Sequence, residues 1–432
     1  MFTAYIVIIL NFSDFIPCSC GGVLEKLSWT QHLIFNAFFI LLAGVAVFFT
    51  VQKNAKKTLL MLTTLAIFGV GTITLLFAFS EKKMHRNNAF QRRYIPHAIE
   101  AVHEYKLEGP NYYIAGMEQD KIYLGNYMAP LLLDEFSVKQ RKIDNKKVTI
   151  SNLELPYRRV RIEVKPPYFY LGDGTIPIVF RGSLQDKMGY PDYSEAHFLQ
   201  FVVADSSHLG IVSIDDTIRK TKFGVFSKEN ENSQVKFNDN ILSKQVDGVI
   251  GMDGTLLWNE RHQQFMYVYR YRNTFEAIDK TLNHLYTGRT IDTIGKAILG
   301  LAHYNKTNQY ALGAKSVVVN KLSATDGDYL FIESERLGKF DNEDSMGTTD
   351  IIDVYNIVDQ TYAFSFRLYH DKGKQLKGFK VYGELLAAIF GDTLKIYKLK
   401  PTYFNAGSNR THTAQYQEED RTPVKNSRSL IH

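Results

Sequence analysis

Two cysteines, Cys18 and Cys20, are the only thiols in this 432-residue chain, and they sit two positions apart in Pro17-Cys18-Ser19-Cys20-Gly21-Gly22. Thiol–disulfide exchange is the chemistry such a spacing offers. A thiol takes part when its pKa is depressed or a partner lies close by. Cys18 and Cys20 are near enough along the chain to close a small-ring disulfide, and strain in such a ring makes the bond labile. Pro17 fixes the entry to the bend, and Gly21-Gly22 relieve its exit. Trp29 and His32 follow, and His32 and Asn36 fall at i and i+4 on one face of a helix start, where His32 could sit near the thiols. Three readings stand: a redox pair Cys18/Cys20 modulated by His32, a structural turn with inert thiols, or pairing with a cysteine upstream of this chain. A metal is not expected, because two thiols and one imidazole leave a tetrahedral site incomplete. No cofactor is expected either.

The elements that must position this loop are membrane helices. Leu33 to Val51 and Thr58 to Phe79 carry no charged residue, and each approaches the ~20 residues that cross a hydrocarbon core. Phe2 to Phe12 is too short for a full span and lacks the basic start of a secretory signal. It reads as the end of a span whose beginning lies upstream or, less readily, as a re-entrant segment. Two crossings return the chain to its starting side, so the cysteine loop and everything after residue 80 share a compartment. Lys53, Lys56 and Lys57 mark the turn between the spans as cytoplasmic. Lys82, Lys83, Arg86, Arg92 and Arg93 pull the other way. The absence of cysteine after Cys20 suits an oxidising compartment, and large domains translocate with little regard to charge. The expectation is an integral membrane protein whose C-terminal domain lies outside the cytoplasm.

Residues 1–97 hold nine Lys/Arg against three acids, so the whole net charge of +6 belongs to the membrane-flanking part. The rest is balanced and offers no basic stripe, which argues against nucleic acid as a partner. Basic residues beside spans are commonly topology or lipid headgroup signals. The partners left are membrane lipid and a thiol-disulfide exchange partner or other periplasmic protein.

Residues 111–401 alternate short apolar strands with Gly, Asn and Asp turns. Tyr267, Tyr269 and Tyr271 interleave with Met266, Val268 and Arg270 in a period of two. A strand–turn–strand unit recurs, starting near Ile122, Phe169, Phe201, Tyr267, Tyr329 and Leu385. The mean interval is about 53 residues, which suits four-stranded propeller blades of ~40–50. The fold class is therefore an α-helical membrane anchor followed by an all-β domain, a six-bladed β-propeller. The step from Phe169 to Phe201 is only 32 residues, which leaves five or seven blades open, and a pair of β-sandwiches is the structural alternative. The recurring Asp134, Asp215, Asp279 and Asp353 read better as turn caps on backbone amides than as metal or catalytic groups. Residues 81–110 read as a linker, helical over Pro96 to Tyr105, and 402–432 as a disordered tail.

The run Pro17, Cys18, Cys20, Gly22 between apolar spans resembles the MauE/DoxX-type redox-associated membrane proteins over roughly residues 1–51. That resemblance implies a helical membrane domain supporting disulfide or electron-transfer chemistry outside the cytoplasm, with Cys18 and Cys20 as its motif cysteines. Earlier spans of the family are missing, which puts an autonomous redox domain in doubt. The chain as a whole is similar to Bacteroidota proteins that join such an anchor to a periplasmic six-bladed propeller-like domain. The reading reached is a membrane-anchored propeller that binds a partner or ligand through its loops or axial face, with Cys18/Cys20 as a redox pair beside the membrane. The alternative is a non-enzymatic scaffold or sensor with structural cysteines. A propeller hydrolase or lyase ranks last, because no nucleophile elbow, metal cluster or supported acid pair is visible.

Overall fold

The computed structural model describes residues 2–12, 29–50, 55–81, 87, 89–215, 217, 219–229, 232–245, 248–304, 309–312 and 316–404. Cys18, Cys20, Asp216, the basic residues Lys82, Lys83 and Arg86, and positions 405–432 of the expected tail lie outside them. The chain divides into two compact units, one made of residues 1–90, 297–317 and 336–339, the other of 91–296, 318–335 and 340–432.

The first unit contains helices α1 (Phe2–Phe12), α2 (Trp29–Thr50) and α3 (Ala55–Glu81). At 1.5 Å per residue α2 and α3 run ~33 and ~40 Å, enough for a ~30 Å hydrocarbon core. Lys56 and Lys57 belong to the first turn of α3 rather than to the connection before it. Large apolar side chains stand outward on both helices, with Leu41 68% and Ile67 74% exposed. Water would penalise such a surface, whereas lipid does not. The threonines of α3 show the same adaptation. Thr64 donates to the Leu60 carbonyl at 2.8 Å and Thr72 to the Phe68 carbonyl at 2.8 Å, so each hydroxyl is satisfied one turn back within its own helix. The helix α1 packs on α2 and α3 and buries Ile6.

The second unit is a closed ring of six blades. Its first strand, β1 (Ile99–Lys106), is set aside for the last blade. Blade 1 is β2 (Tyr112–Glu118), β3 (Lys121–Asn126), β4 (Leu132–Ser137) and β5 (Lys142–Lys147). Blade 2 is β7 (Arg161–Lys165), β8 (Tyr168–Asp173), β9 (Ile178–Ser183) and β10 (Met188–Ser194), with the short β6 (Thr149–Ile150) parallel to β10 at its edge. Blade 3 is β11 (Gln200–Val203), β12 (His208–Asp215), β13 (Lys220–Glu229) and β14 (Asn232–Asn238). Blade 4 is β15 (Gly254–Asn259), β16 (Gln264–Tyr269), β17 (Thr274–Ile278) and β18 (His284–Arg289). The hairpin β19 (Leu301–Tyr304) and β20 (Gln309–Leu312) follows in sequence and belongs to the first unit. Blade 5 is β21 (Leu322–Asp326), β22 (Tyr329–Ser334), β23 (Thr349–Asn356) and β24 (Thr361–Tyr369). Blade 6 is β25 (Leu376–Tyr382), β26 (Leu385–Phe390) and β27 (Thr393–Leu399), completed by β1.

The core consists of six apolar clusters, and each is an interface between neighbouring blades. Leu124 and Phe136 of blade 1 meet Ile389 and Leu394 of blade 6, and Met266 and Phe275 of blade 4 meet Leu330 and Ile332 of blade 5. The other four clusters join blades 1–2, 2–3, 3–4 and 5–6, which leaves no open edge between first and last. Ring closure is covalently economical: β1 precedes blade 1 in sequence yet pairs antiparallel with β27, from Ile99 opposite Leu399 to Lys106 opposite Thr393. This corrects the helix expected over Pro96 to Tyr105. Ala98, Glu100, Ala101 and Glu104 favour a helix locally, but pairing with β27 over the whole of β1 overrides that preference. His103 and Tyr105 also place their rings 5.7 and 5.3 Å from Phe136 of blade 1. At the axis, β2 and β7 approach so closely that a Cβ on Gly116 would strike the Val164 carbonyl.

The uneven 32-residue step has a simple origin. Phe169 lies on the second strand of its blade and Phe201 on the first strand of the next, so the interval runs between unlike strands. The six recurring units nevertheless fall one in each blade.

Candidate functional site

His32 is buried in α2, and its carbonyl accepts a bond from the Asn36 amide at 2.8 Å, as the i, i+4 placement implies. Cys18 and Cys20 belong to the undescribed stretch 13–28.

The four recurring aspartates divide by environment. Asp279 accepts the amides of Thr281 and Asn283 at 2.8 and 2.9 Å, and Asp215 accepts that of Thr217 at 3.0 Å, so both cap turns. Asp134 is fully buried beside the Tyr112 hydroxyl, and burial pushes its pKa up. Asp353 instead binds the guanidinium of Arg92, with 2.7 Å to Nε and 3.0 Å to Nη2. Arg92 also pairs with Asp341 and donates to Ser334 Oγ at 2.9 Å, and Tyr94 donates to Asp341 at 2.8 Å. The arginine read as a topology signal is thus a buried anchor on blade 5. Nothing local in the sequence marks it, because its partners lie some 250 positions away.

The inner strands β2, β7, β11, β15, β21 and β25 all end at one rim of the axis. Polar and aromatic groups collect there: Glu118, Lys165, Asp205, Trp258, Glu260, Asp326 and Tyr382. Lys165 of blade 2 reaches past blade 3 to Glu260 at the end of β15, 2.5 Å away, and donates to the Ala204 carbonyl on the way. The Trp258 indole N–H donates to the same Glu260 oxygen at 2.8 Å. Two ammonium groups flank that indole, Lys165 at 5.8 Å and Lys280 at 5.1 Å from the ring centre, within reach of a cation–π attraction. Lys280 pairs with Asp205 at 2.6 Å, and Asp205 also meets His208 at 3.0 Å.

Burial disfavours the Asp205 carboxylate, but bonds from Lys280, the Ser207 amide and His208 outweigh it and hold the group down to about 2. Asp326 goes the other way. Burial lifts it to about 6, against the Gly383 amide at 3.0 Å and the charge of Arg261. Inside the axis Glu163 is likewise raised by burial, against the attraction of Lys380 from blade 6. The rim is therefore a mosaic of compensated charges around an indole, with Tyr382 40% exposed beside it. Among the described residues no three His, Cys, Asp or Glu are grouped to hold a metal ion.

Residues 1–49 match the family model of the methylamine utilisation protein MauE. The matched stretch contains Cys18, Cys20 and His32, together with α1 and nearly all of α2. None of the curated proteins matches the chain. The propeller is similar in fold to several solved structures. A member of the DUF4221 family from Bacteroides vulgatus shares 12% identity, covering 70% of this chain and 97% of its own, with a TM-score of 0.47. A structural-genomics protein from Bacteroides thetaiotaomicron shares 11% identity over 70% of this chain and 72% of its own, with a TM-score of 0.42. The β-propeller domain of Cps50 from Myceliophteria thermophila shares 9% identity over 69% of this chain and 100% of its own, also at 0.42. One chain therefore contains both a segment similar to MauE, over residues 1–49, and a six-bladed propeller.

Proposed function

We propose that this membrane protein displays its propeller on the periplasmic side and holds a partner on the axial rim, while Cys18 and Cys20 exchange disulfides with that partner near the membrane surface. The observation that carries the reading is the union, on one chain, of a MauE-type segment containing both cysteines with a propeller whose rim gathers Lys165, Trp258, Glu260 and Tyr382. In the exchange, the thiolate of one cysteine attacks a partner disulfide to give a mixed disulfide. The second cysteine then displaces the partner thiol, so two electrons pass from Cys18/Cys20 to the partner.

Thiol trapping tests this. Membranes are treated with a large alkylating maleimide before and after mild reductant, and the shift in gel mobility is read. A pair found partly oxidised, and driven to dithiol by the reductant, supports exchange. Thiols that stay reduced, or that never react, favour the scaffold or sensor with structural cysteines. A Cys18→Ser/Cys20→Ser chain that keeps full activity in cells would point the same way. Trapping in a Cys20→Ser chain should hold the partner as a mixed disulfide with Cys18, and Lys165→Glu should reduce its yield if the rim docks the same protein.

A further inference from the structure

A second feature of the propeller lies away from the axial rim. A cavity of about 390 Å³ opens between blades 3 and 4, walled by the loop after β14 on one side and by β17 and β18 on the other. Its size falls in the range of small-molecule sites, and Arg272, Glu276, His284 and Thr287 contribute polar groups to its wall.

Arg272 is the unusual member. Only 1% of it is exposed, and a guanidinium stays charged even when buried. It lies 3.5 Å from the centre of the Tyr269 ring, and Nη2 donates to the Ser243 carbonyl and hydroxyl at 2.9 Å each. Its Nε and Nη1 are buried with no hydrogen-bond partner, and no carboxylate stands within 4.0 Å of it among the described residues. Elsewhere in this propeller a buried arginine is neutralised, as Arg92 is by Asp341 and Asp353. A buried cation left without a counter-charge is costly. The π face and the two serine oxygens offset part of that cost and leave a binding preference for an anion.

The nearby wall has the opposite character. The buried Glu276 holds His284 Nε2 at 2.8 Å and Thr287 Oγ1 at 2.5 Å. A carboxylate, an imidazole and a hydroxyl together suit hydroxyl or amino groups on a ligand. A plain inorganic anion would gain from Arg272 but meet repulsion from Glu276.

We propose that the cavity between blades 3 and 4 binds a small organic carboxylate that also carries hydroxyl or amino groups, its carboxylate toward Arg272 and its other polar groups toward Glu276, His284 and Thr287. This site is independent of the axial rim and of the cysteines, and its test reads neither.

The test is calorimetric titration of the full chain in detergent with L-glutamate, D-gluconate, citrate and acetate, alongside D-glucose and inorganic phosphate. At least one polar carboxylate is expected to saturate a single site, with acetate weaker and glucose silent. Arg272→Met should weaken that binding about tenfold or more, since a charge-assisted contact is lost while bulk is kept. Thr274→Leu, which leaves Arg272 in place and narrows the cavity, should weaken it as well. The second variant decides the matter if the first fails to fold. No saturation with any carboxylate overturns the proposal, as does unchanged affinity in Thr274→Leu and a folded Arg272→Met. Saturation by phosphate alone would overturn the assignment of an organic carboxylate.

Discussion

Arg92 places a permanent positive charge where water scarcely reaches, and Asp341, Asp353 and Ser334 complete its shell. Removing it would strand two buried carboxylates. Arg92→Met is expected to cost about 3–5 kcal/mol, read as a lowered denaturation midpoint through Trp258 fluorescence. The double change Arg92→Met/Asp353→Asn should cost less than the sum of the two single changes, because the same contacts are shared. Glu333 supplies a pH signature. Burial drives its pKa from 4.5 up to about 8, against the attraction of Lys321 at 2.8 Å and with repulsion from Asp350. Between those values the native chain holds a proton that the unfolded chain has released. The group's contribution is therefore most favourable below its unfolded pKa and is lost as pH rises toward about 8. Glu333→Gln should flatten that fall, which unfolding midpoints on either side of the window would detect. Asp205, held down to about 2, acts with opposite sign and weakens the fold only as acid protonates it.

At the scale of elements, closure of the ring is the decisive event. The strand β1 pairs with β27 along its whole length and packs His103 and Tyr105 on Phe136, so it seals blade 6 and braces blade 1 together. A soluble fragment of residues 91–404 should unfold in one cooperative transition. A fragment of 107–404 leaves the edge of β27 bare and should melt earlier and aggregate, which circular dichroism and light scattering would follow. Much of this fold was legible beforehand. The two spans announce themselves by uncharged length, and the six units by alternation such as Tyr267–Val268–Tyr269, since both signals are local in the chain. Closure by β1 was not legible, because residues 96–105 read as helix until their distant partner is known. The same holds for the rim and for blade 5. Lys165 finds Glu260 across 95 positions, and Arg92 finds Asp353 across 261. No periodicity records pairs that only a closed ring brings together. Cys18 and Cys20 lie outside the described residues, and the Asn36 side chain bonds the backbone carbonyl of His32, a contact within the helix that does not bear on the thiols.

For the whole molecule, the compartment proposed for the propeller rests on α2 and α3 each crossing the bilayer once. Two such crossings would return the loop holding Cys18 and Cys20 and the chain beyond α3 to one side. Lys53 before α3, and Lys56 and Lys57 in its first turn, favour the cytoplasm for that end of the helix. The basic residues after α3 oppose this, but Arg92 is tied into blade 5 and its charge is neutralised there. Its weight as a topology signal falls accordingly. Single cysteines on a Cys18→Ser/Cys20→Ser background decide the matter. Tyr190→Cys, at a position 60% exposed on β10, should react with a membrane-impermeant maleimide in intact spheroplasts. Lys53→Cys should react only after the membrane is opened. The reverse pattern would put the propeller in the cytoplasm, where reducing conditions keep thiols free. Disulfide exchange by Cys18 and Cys20 would then lack an oxidising environment, and the scaffold reading would take its place.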